Sequence, residues 1–404
     1  MDFMRVLVAG AGLGGLCLAQ GLRQAGIDVA VFEQDVSPYS RAQGHRIHID
    51  HRGDDALRTC LPAPLYQLYL DTRGQPNERF QVLSAAEHRL REVPIPGPTP
   101  QAIINPGSAV SRLTLREILL ADMDDIVHFG KAVDRFESDT RVRVHFRDGG
   151  SDTGDLLVGA DGIGSAVRRQ YLPHAELRDT GVRWIGGKSP ITPEASATLP
   201  PELGGSFAAI TGTDPAMGIG YLRFTNDPQE TADRLWPGLR LTDRADFVMW
   251  AITIAATRLP DGDAALSTIG SATLHQRAVE LTRRSHPGLR TIVKQGWPEH
   301  TFFLRMATSV PIVTWRPSNV TLLGDAIHAM PPAKGSGANT ALADAGTLTR
   351  CLHSVLNQGT PLVTAVGNYE KEMTDRGFHA VRASTDVLDS IGQELINGSV
   401  PETR

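Results

Sequence analysis

Cysteine is scarce. Cys17, Cys60 and Cys351 are the three in 404 residues, they lie far apart, and none forms a CxxC pair, which argues against a disulfide scaffold, a zinc ribbon or a dithiol redox centre. Long basic runs are missing too. With 40 Lys and Arg against 45 Asp and Glu, the formal charge is −5, so no electrostatic hold on nucleic acid or anionic lipid is expected. No segment reaches the ~20 unbroken apolar residues of a membrane span. The apolar stretch MRVLVAGAGLGGLCLAQGL is no signal peptide by pattern, because a glycine turn interrupts it and Asp2 stands where a basic start is needed. Internal repeats and low-complexity tracts are also lacking. These absences leave a reduced, cytoplasmic protein that inserts into no membrane, a monomer or homodimer, with 41% apolar and 21% charged residues, an ordinary mixture for a folded core.

What is present is organised around glycine turns. Met4 to Val8 reads as a short buried strand, Leu16 to Ala25 has helical apolar spacing, and Val29 to Phe32 is a second strand. LLVGADG (156–162) and NVTLLGDA (319–326) are apolar runs that also stop at Gly and Asp. Thr72 to Pro100 is rich in proline and charge, ending in PIPGPTP. From about Trp184 to Ile312, β-branched and aromatic segments alternate with Pro, Asp and Gly turns, the pattern of a mostly antiparallel sheet. The segment from Leu362 onward has the spacing of one or two helices.

Gly10, Gly12 and Gly15 satisfy GxGxxG between strand and helix, with Leu13 and Gly14 inside the same turn. The first glycine permits the turn, the second lets backbone approach a pyrophosphate, and the third allows close helix–strand packing; the helix start offers free N–H groups to phosphate. Glu33, eighteen residues after Gly15, can accept bonds from both ribose hydroxyls, and a carboxylate there disfavours a 2′-phosphate. NAD and FAD both remain open on this motif.

GADGIGSAVRR (159–169) and TLLGDAIHAMPPAKGSGANTALADA (321–345), in that order after GxGxxG, resemble the class A flavoprotein monooxygenases, the p-hydroxybenzoate hydroxylase superfamily. The resemblance covers nearly the whole chain and implies FAD, with NADH or NADPH as co-substrate lacking a Rossmann domain of its own. It implies an α/β fold: a Rossmann-like FAD-binding domain (1–71, 101–181, 308–358), an inserted mostly antiparallel β-sheet substrate domain (72–100, 182–307), and C-terminal helices (359–404). Gly324 and Asp325 match the GD motif, whose carboxylate accepts from the ribitol chain. Pro332, Gly335, Gly337 and Ala338 would border the N1 and C2 edge of the flavin, where a helix N-terminus meets developing negative charge. Asn339 and Asp344 match the family pattern, whereas Ser336 stands where many members have Gln. Asp161, Gly162 and Arg168 match the DG motif near the pyrophosphate, which is also linked to nicotinamide; a turn followed by a surface arginine is the plainer alternative. Arg112 is expected at the FAD phosphate and ribitol, where its planar fork suits phosphate. Arg46 is expected at the isoalloxazine edge. Arg46 and Pro332 are thus the candidates for shaping the flavin environment, with no acid or base assigned. His45, His48 and His51 lie close together, but strand alternation splits them between faces, so no metal is expected; His328 is expected to pack or hydrogen-bond.

The implied reaction uses NAD(P)H and O₂ to place one oxygen atom on a small organic molecule through a flavin C4a-hydroperoxide, the flavin carrying the chemistry while the protein orients and dries it. Trp184, Met217, Tyr221, Phe224, Met249, Trp250 and Phe303 are the candidate substrate-lining residues, a set suited to a planar apolar ligand, although alternation should turn about half of them away. With no cationic cluster in that region, an aromatic or polycyclic compound is expected ahead of a simple benzoate. Other readings are a flavin oxidase or dehydrogenase of the same fold, an NAD-dependent dehydrogenase, which leaves the GD segment unexplained, and a non-catalytic carrier.

Overall fold

Strands with unbroken apolar sequence, such as VLVA in Arg5–Ala9, need cover on both faces, and parallel sheets supply it. The computed structural model describes residues 4–40, 44–75, 80–85, 90–92, 107–198, 207–211, 215–259 and 262–397; the PIPGPTP stretch lies outside them. Five parallel strands form one sheet in the order Val320–Leu322, Leu156–Gly159, Arg5–Ala9, Asp28–Glu33, Val127–Phe129. The strands ending in the three glycine-containing turns are therefore neighbours, with Arg5–Ala9 in the middle. The helices Leu13–Gln24, His51–Cys60 and Ser336–Gln358 add their apolar faces to the same core, including Leu16, Leu18, Leu57, Leu342 and Leu348.

A second sheet has seven strands, ordered Phe302–Ser309, Leu177–Pro190, Phe247–Ala255, Ala216–Leu222, Phe207–Thr211, Phe80–Ser84, Arg91–Glu92. Its pairs are antiparallel except Phe207–Thr211 with Phe80–Ser84. Alternation gives it two unlike faces. Ile185, Met217, Ile219, Trp250 and Ile252 pack with Leu274, Ala278, Leu289 and Val293 of the helices Ser271–Leu281 and Pro287–Lys294. Leu222, Phe247 and Met249 face the other way and meet Ala109 of the two-stranded ribbon Arg46–Asp50/Gly107–Ser111.

The expected boundaries at 181 and 307 fall within the continuous strands Leu177–Pro190 and Phe302–Ser309. These strands pair from Leu177↔Ser309 to Gly186↔Phe302, with a register shift between Asp179 and Arg183. Gly181, at φ +73°, sits in that bulge. The chain thus passes between the two sheets as a bent strand pair, without a loop, since a bulge turns a strand and keeps most of its ladder.

One helix, Leu362–Asn397, ends the described chain. It carries two glycines where it crosses the parallel-sheet unit: a Cβ on Gly367 would lie 2.9 Å from Pro317 Cγ, and one on Gly377 would lie 2.5 Å from His328 Cδ2. Among the described residues no helix is long and apolar enough to cross a membrane.

Candidate functional site

The glycine turn is closed by steric necessity. Gly10 has φ +108°, and a Cβ there would lie 2.4 Å from the Ala160 carbonyl oxygen; one on Gly15 would lie 2.2 Å from the Gly10 carbonyl oxygen. The helix Leu13–Gln24 therefore starts directly against the strand. Its N-cap, Gly12, has no side-chain cap, and a Cβ there would meet nothing within 4 Å, so the first-turn N–H groups face open space. Glu33 is buried and its carboxylate accepts from Ala11 N at 2.8 Å and Asp35 N at 2.9 Å, which fixes it at the rim of the turn. Gly14 brings the GD strand alongside, a Cβ there lying 2.5 Å from Leu323 Cδ2.

At the DG turn, Gly162 takes φ +71° and Asp161 Oδ2 accepts from Ala166 N at 2.7 Å and Val167 N at 3.2 Å. Asp161 thus accepts from the first turn of the helix Ala166–Tyr171, whose N-cap is Ser165. Arg168 is not a surface arginine. It is buried, and it donates through Nη1 to Ala326 O at 2.9 Å and through Nη2 to Ile163 O at 3.0 Å. Its guanidinium ties the DG turn to the GD turn, and burial lowers its pKa.

Gly324, at φ +64°, delivers Asp325. The Asp325 side chain is exposed by surface area, yet desolvation raises its pKa against the opposing charges of His328 and Arg112. Both descriptions hold when the carboxylate lines a deep cleft, accessible to solvent but walled by protein. Beneath it, His328 Nε2 bonds Asp344 Oδ2 at 2.5 Å, Arg376 Nη2 donates to Asp344 Oδ1 at 2.8 Å, and Gly324 N donates to Asp344 Oδ2 at 3.1 Å. Desolvation works against charge on His328, but Asp344 and Asp325 raise its pKa above the ordinary value. The expectation that His328 hydrogen-bonds is met with a specific partner.

Gly335, left-handed at φ +60°, opens the helix Ser336–Gln358 with no side-chain cap. Gly337 and Ala338 are half-buried in its first turn, and a Cβ on Gly337 would lie 4.0 Å from Asp325 Oδ1. Pro332 is exposed on the short turn Pro332–Lys334 just before it. The Asn339 side chain is taken up by the protein: its Oδ1 accepts from Asp50 N at 2.9 Å and its Nδ2 donates to His48 O at 2.8 Å and Gly335 O at 2.9 Å. With its carboxamide engaged by backbone, Asn339 fixes the strand Arg46–Asp50 to the helix start. Arg112 begins the helix Arg112–Leu120, its amide donating to His45 O at 3.0 Å. An open phosphate-type helix start, a cleft carboxylate and a second uncapped helix start therefore border one another, and this donor and acceptor set fits FAD.

The seven substrate candidates separate by face. Trp184, Phe224 and Met249 belong to the face toward the ribbon, Trp184 packing with Met306 and Ala333. Met217, Tyr221, Trp250 and Phe303 lie in the cluster under the covering helices, so they are corrected to core. Trp250 is fully buried and donates to Ser189 Oγ at 2.9 Å. A cavity of about 300 Å³ lined by Ile185, Ile254, Leu259 and Leu266 opens on that same far face, away from the glycine turns.

Lys188, on the ribbon-facing side, is buried and pairs with Asp243 Oδ1 at 2.5 Å; Ser111 Oγ donates to Asp243 Oδ2 at 2.6 Å. Nearby, His45 Nε2 bonds His300 O at 2.6 Å, and its pKa falls to about 4, burial being the main cause. Arg46 is buried, donates from Nε to Tyr221 O at 2.8 Å and lies over the Phe207 ring at 5.7 Å.

Comparison with known proteins agrees with this arrangement. A family model described as an FAD binding domain matches residues 4–53 and 295–384. The dual O-methyltransferase/FAD-dependent monooxygenase CTB3 of Cercospora beticola is 32% identical over 93% of this chain, which spans 45% of that protein's length. The FAD-dependent monooxygenase cctM of Talaromyces islandicus is 30% identical over 95% of this chain and 91% of its own. A crystal structure from Photorhabdus luminescens, assigned as an FAD-containing monooxygenase, superposes with a TM-score of 0.79 at 31% identity, covering 98% of this chain and 100% of that one.

Proposed function

This chain belongs to the FAD-dependent monooxygenase family, and on that premise we propose that it uses NADH or NADPH and O₂ to hydroxylate or epoxidise an apolar aromatic or polycyclic small molecule. The observation that carries the reading is the meeting of the Gly12 helix start, the Asp325 cleft carboxylate and the uncapped Gly335 helix start. When bound, FAD supplies the activation of O₂. The protein's own residues do the rest. Glu33 accepts ribose hydroxyls, the N–H groups after Gly12 receive the pyrophosphate, and Asp325 accepts from the ribitol chain. The N–H groups of the first turn after Gly335 face the edge where negative charge develops on reduction. Arg168 holds the DG and GD turns in register, and Asn339 holds the ribbon against the second helix start. Pro332 walls the substrate side. Apolar residues of the ribbon-facing sheet surface exclude water, which oxygen transfer requires.

The division into a discontinuous FAD unit and an inserted substrate sheet is supported by the separate parallel and antiparallel sheets. The free cysteines favour action in the reducing cytoplasm, and we take the working species as monomer or homodimer. The test is incubation with NAD(P)H, ¹⁸O₂ and a panel of polycyclic phenols. Labelled product is expected; substrate oxidation without label assigns an oxidase instead, and purified protein that takes up no flavin on titration removes the reading.

A further inference from the structure

The face of the seven-stranded sheet turned away from the ribbon carries a cavity that the flavin chemistry leaves unused. It holds about 300 Å³, with a floor of Ile185 and Ile254 from the sheet and walls of Leu259, Leu266 and Leu281. The first four of these are buried and Leu281 is half-buried, so the interior is apolar. The volume stands at the lower end of the range for small-ligand sites. It equals roughly ten waters, room for a short acyl chain and too little for a fused polycycle.

The rim of this cavity is cationic, in a chain whose net charge is −5. Arg258, Arg277, Arg283 and Arg284 line it, and among the described lining residues Glu280 is the one acid. Glu280 is taken by Arg277 at 2.9 Å. Asp263, on the same helix as Leu266, pairs with Arg183 and Arg305, so it neutralises none of the rim. Arg283 and Arg284 are exposed on the short turn Thr282–Arg284, and among the described residues neither has a hydrogen-bond or ion-pair partner. An exposed arginine needs no partner; what marks this pair is that both edge an apolar cavity. Uncompensated positive charge beside a low-dielectric wall raises the local concentration of anions.

We infer that this cavity is a second ligand site, separate from the flavin cleft, for a small carboxylate with an apolar tail, the tail lying on Ile185, Ile254 and Leu266 and the carboxylate at Arg283 and Arg284. The inference goes beyond the monooxygenase reading and does not rest on it. A guanidinium fork matches a carboxylate in geometry and charge, and the tail gains by leaving water. The occupant touches the strands Leu177–Pro190 and Phe247–Ala255 on the face opposite the ribbon, so it bears on the substrate sheet from behind.

Calorimetric titration of the FAD-saturated full chain with octanoate, 1-octanol and acetate at neutral pH tests this. Octanoate is expected to bind one to one and more tightly than octanol, and acetate to show no saturation. The double variant Arg283→Gln/Arg284→Gln, which changes two exposed side chains and leaves the core intact, should weaken octanoate about five- to tenfold, the range for two solvent-exposed charge contacts, with octanol and FAD affinity unchanged. Added salt should shrink the octanoate difference between wild type and the double variant. Leu281→Trp, which fills the cavity, should weaken octanoate and octanol alike. Octanol bound as tightly as octanoate overturns the anion preference, and octanoate bound equally by wild type and the double variant overturns the cationic rim. Octanoate binding unaltered in Leu281→Trp places the ligand elsewhere and overturns the site. Turnover enters none of these readings, so a failure of the monooxygenase reading is told apart from a failure of this one.

Discussion

Replacing Lys188 by methionine removes one charge from a pair whose side chains are 4% and 7% exposed. An exposed ion pair contributes about 0–1 kcal/mol. A buried pair behaves otherwise: deleting one member strands the other charge in dry surroundings at about 3–5 kcal/mol. Asp243 keeps the Ser111 hydroxyl at 2.6 Å, which offsets a minor part, so Lys188→Met is expected to cost about 3 kcal/mol or more. Set against a total stability of about 5–15 kcal/mol, that is a large fraction. The double variant Lys188→Met/Asp243→Leu removes both charges and leaves only the Ser111 hydroxyl without its acceptor, so its cost should be about 1 kcal/mol. The assay is urea unfolding of the FAD-saturated single and double variants at low and high salt, since a buried pair is weakly screened. If Lys188→Met costs under about 1 kcal/mol, or the double variant is as costly as the single, water reaches this surface. The argument that the ribbon-facing side is dry enough for oxygen transfer then fails.

Three further outcomes are expected. Gly15→Ala sets a methyl 2.2 Å from the Gly10 carbonyl oxygen, a backbone contact that moves only if helix and strand separate, so purified protein should lose its flavin absorbance. Arg168→Met deletes the bonds to Ala326 O and Ile163 O; the FAD dissociation constant, followed by flavin fluorescence, should rise at least about tenfold. Burial pushes the Glu370 carboxyl from 4.5 up to about 7, and its Oε2 has no partner. In that window the folded chain holds a proton the unfolded chain has released, so stability falls as pH rises, by about 3 kcal/mol in all; Glu370→Gln should flatten the profile, and an unchanged slope in urea titrations across that range refutes the assignment.

The nucleotide half was legible because its chemistry is local. A turn that admits only glycine, an uncapped helix start and an acidic strand end occupy Gly10 to Glu33 in sequence as in space. The substrate half was legible only as a class of structure. Met249 and Trp250 are adjacent and equally apolar, and alternation says that they point apart without saying which one faces the cofactor; the helices that cover Trp250 decide it. Lys188 and Asp243 lie 55 residues apart, with no spacing to link them, and no local pattern marks them as a buried pair. Arg168 was read as a cofactor or surface residue because an arginine after a DG turn fits either; its bond to Ala326 O, 158 residues away, depends on strand order.

The order of the parallel sheet also sets a timetable for biosynthesis. Of the five strands Arg5–Ala9 is made first and lies in the middle, while its companion two strands away, Val320–Leu322, is made last. Asp325 leaves the ribosome 310 residues after Gly15, about 15–60 s later at about 5–20 residues per second. Throughout that interval the nascent phosphate turn exists without the strand that completes its grip, and Leu156–Gly159, once made, presents an unpaired hydrogen-bonding edge. Flavin loading is thereby deferred until after translation of the GD segment, and the waiting intermediate is the species most in need of chaperone protection.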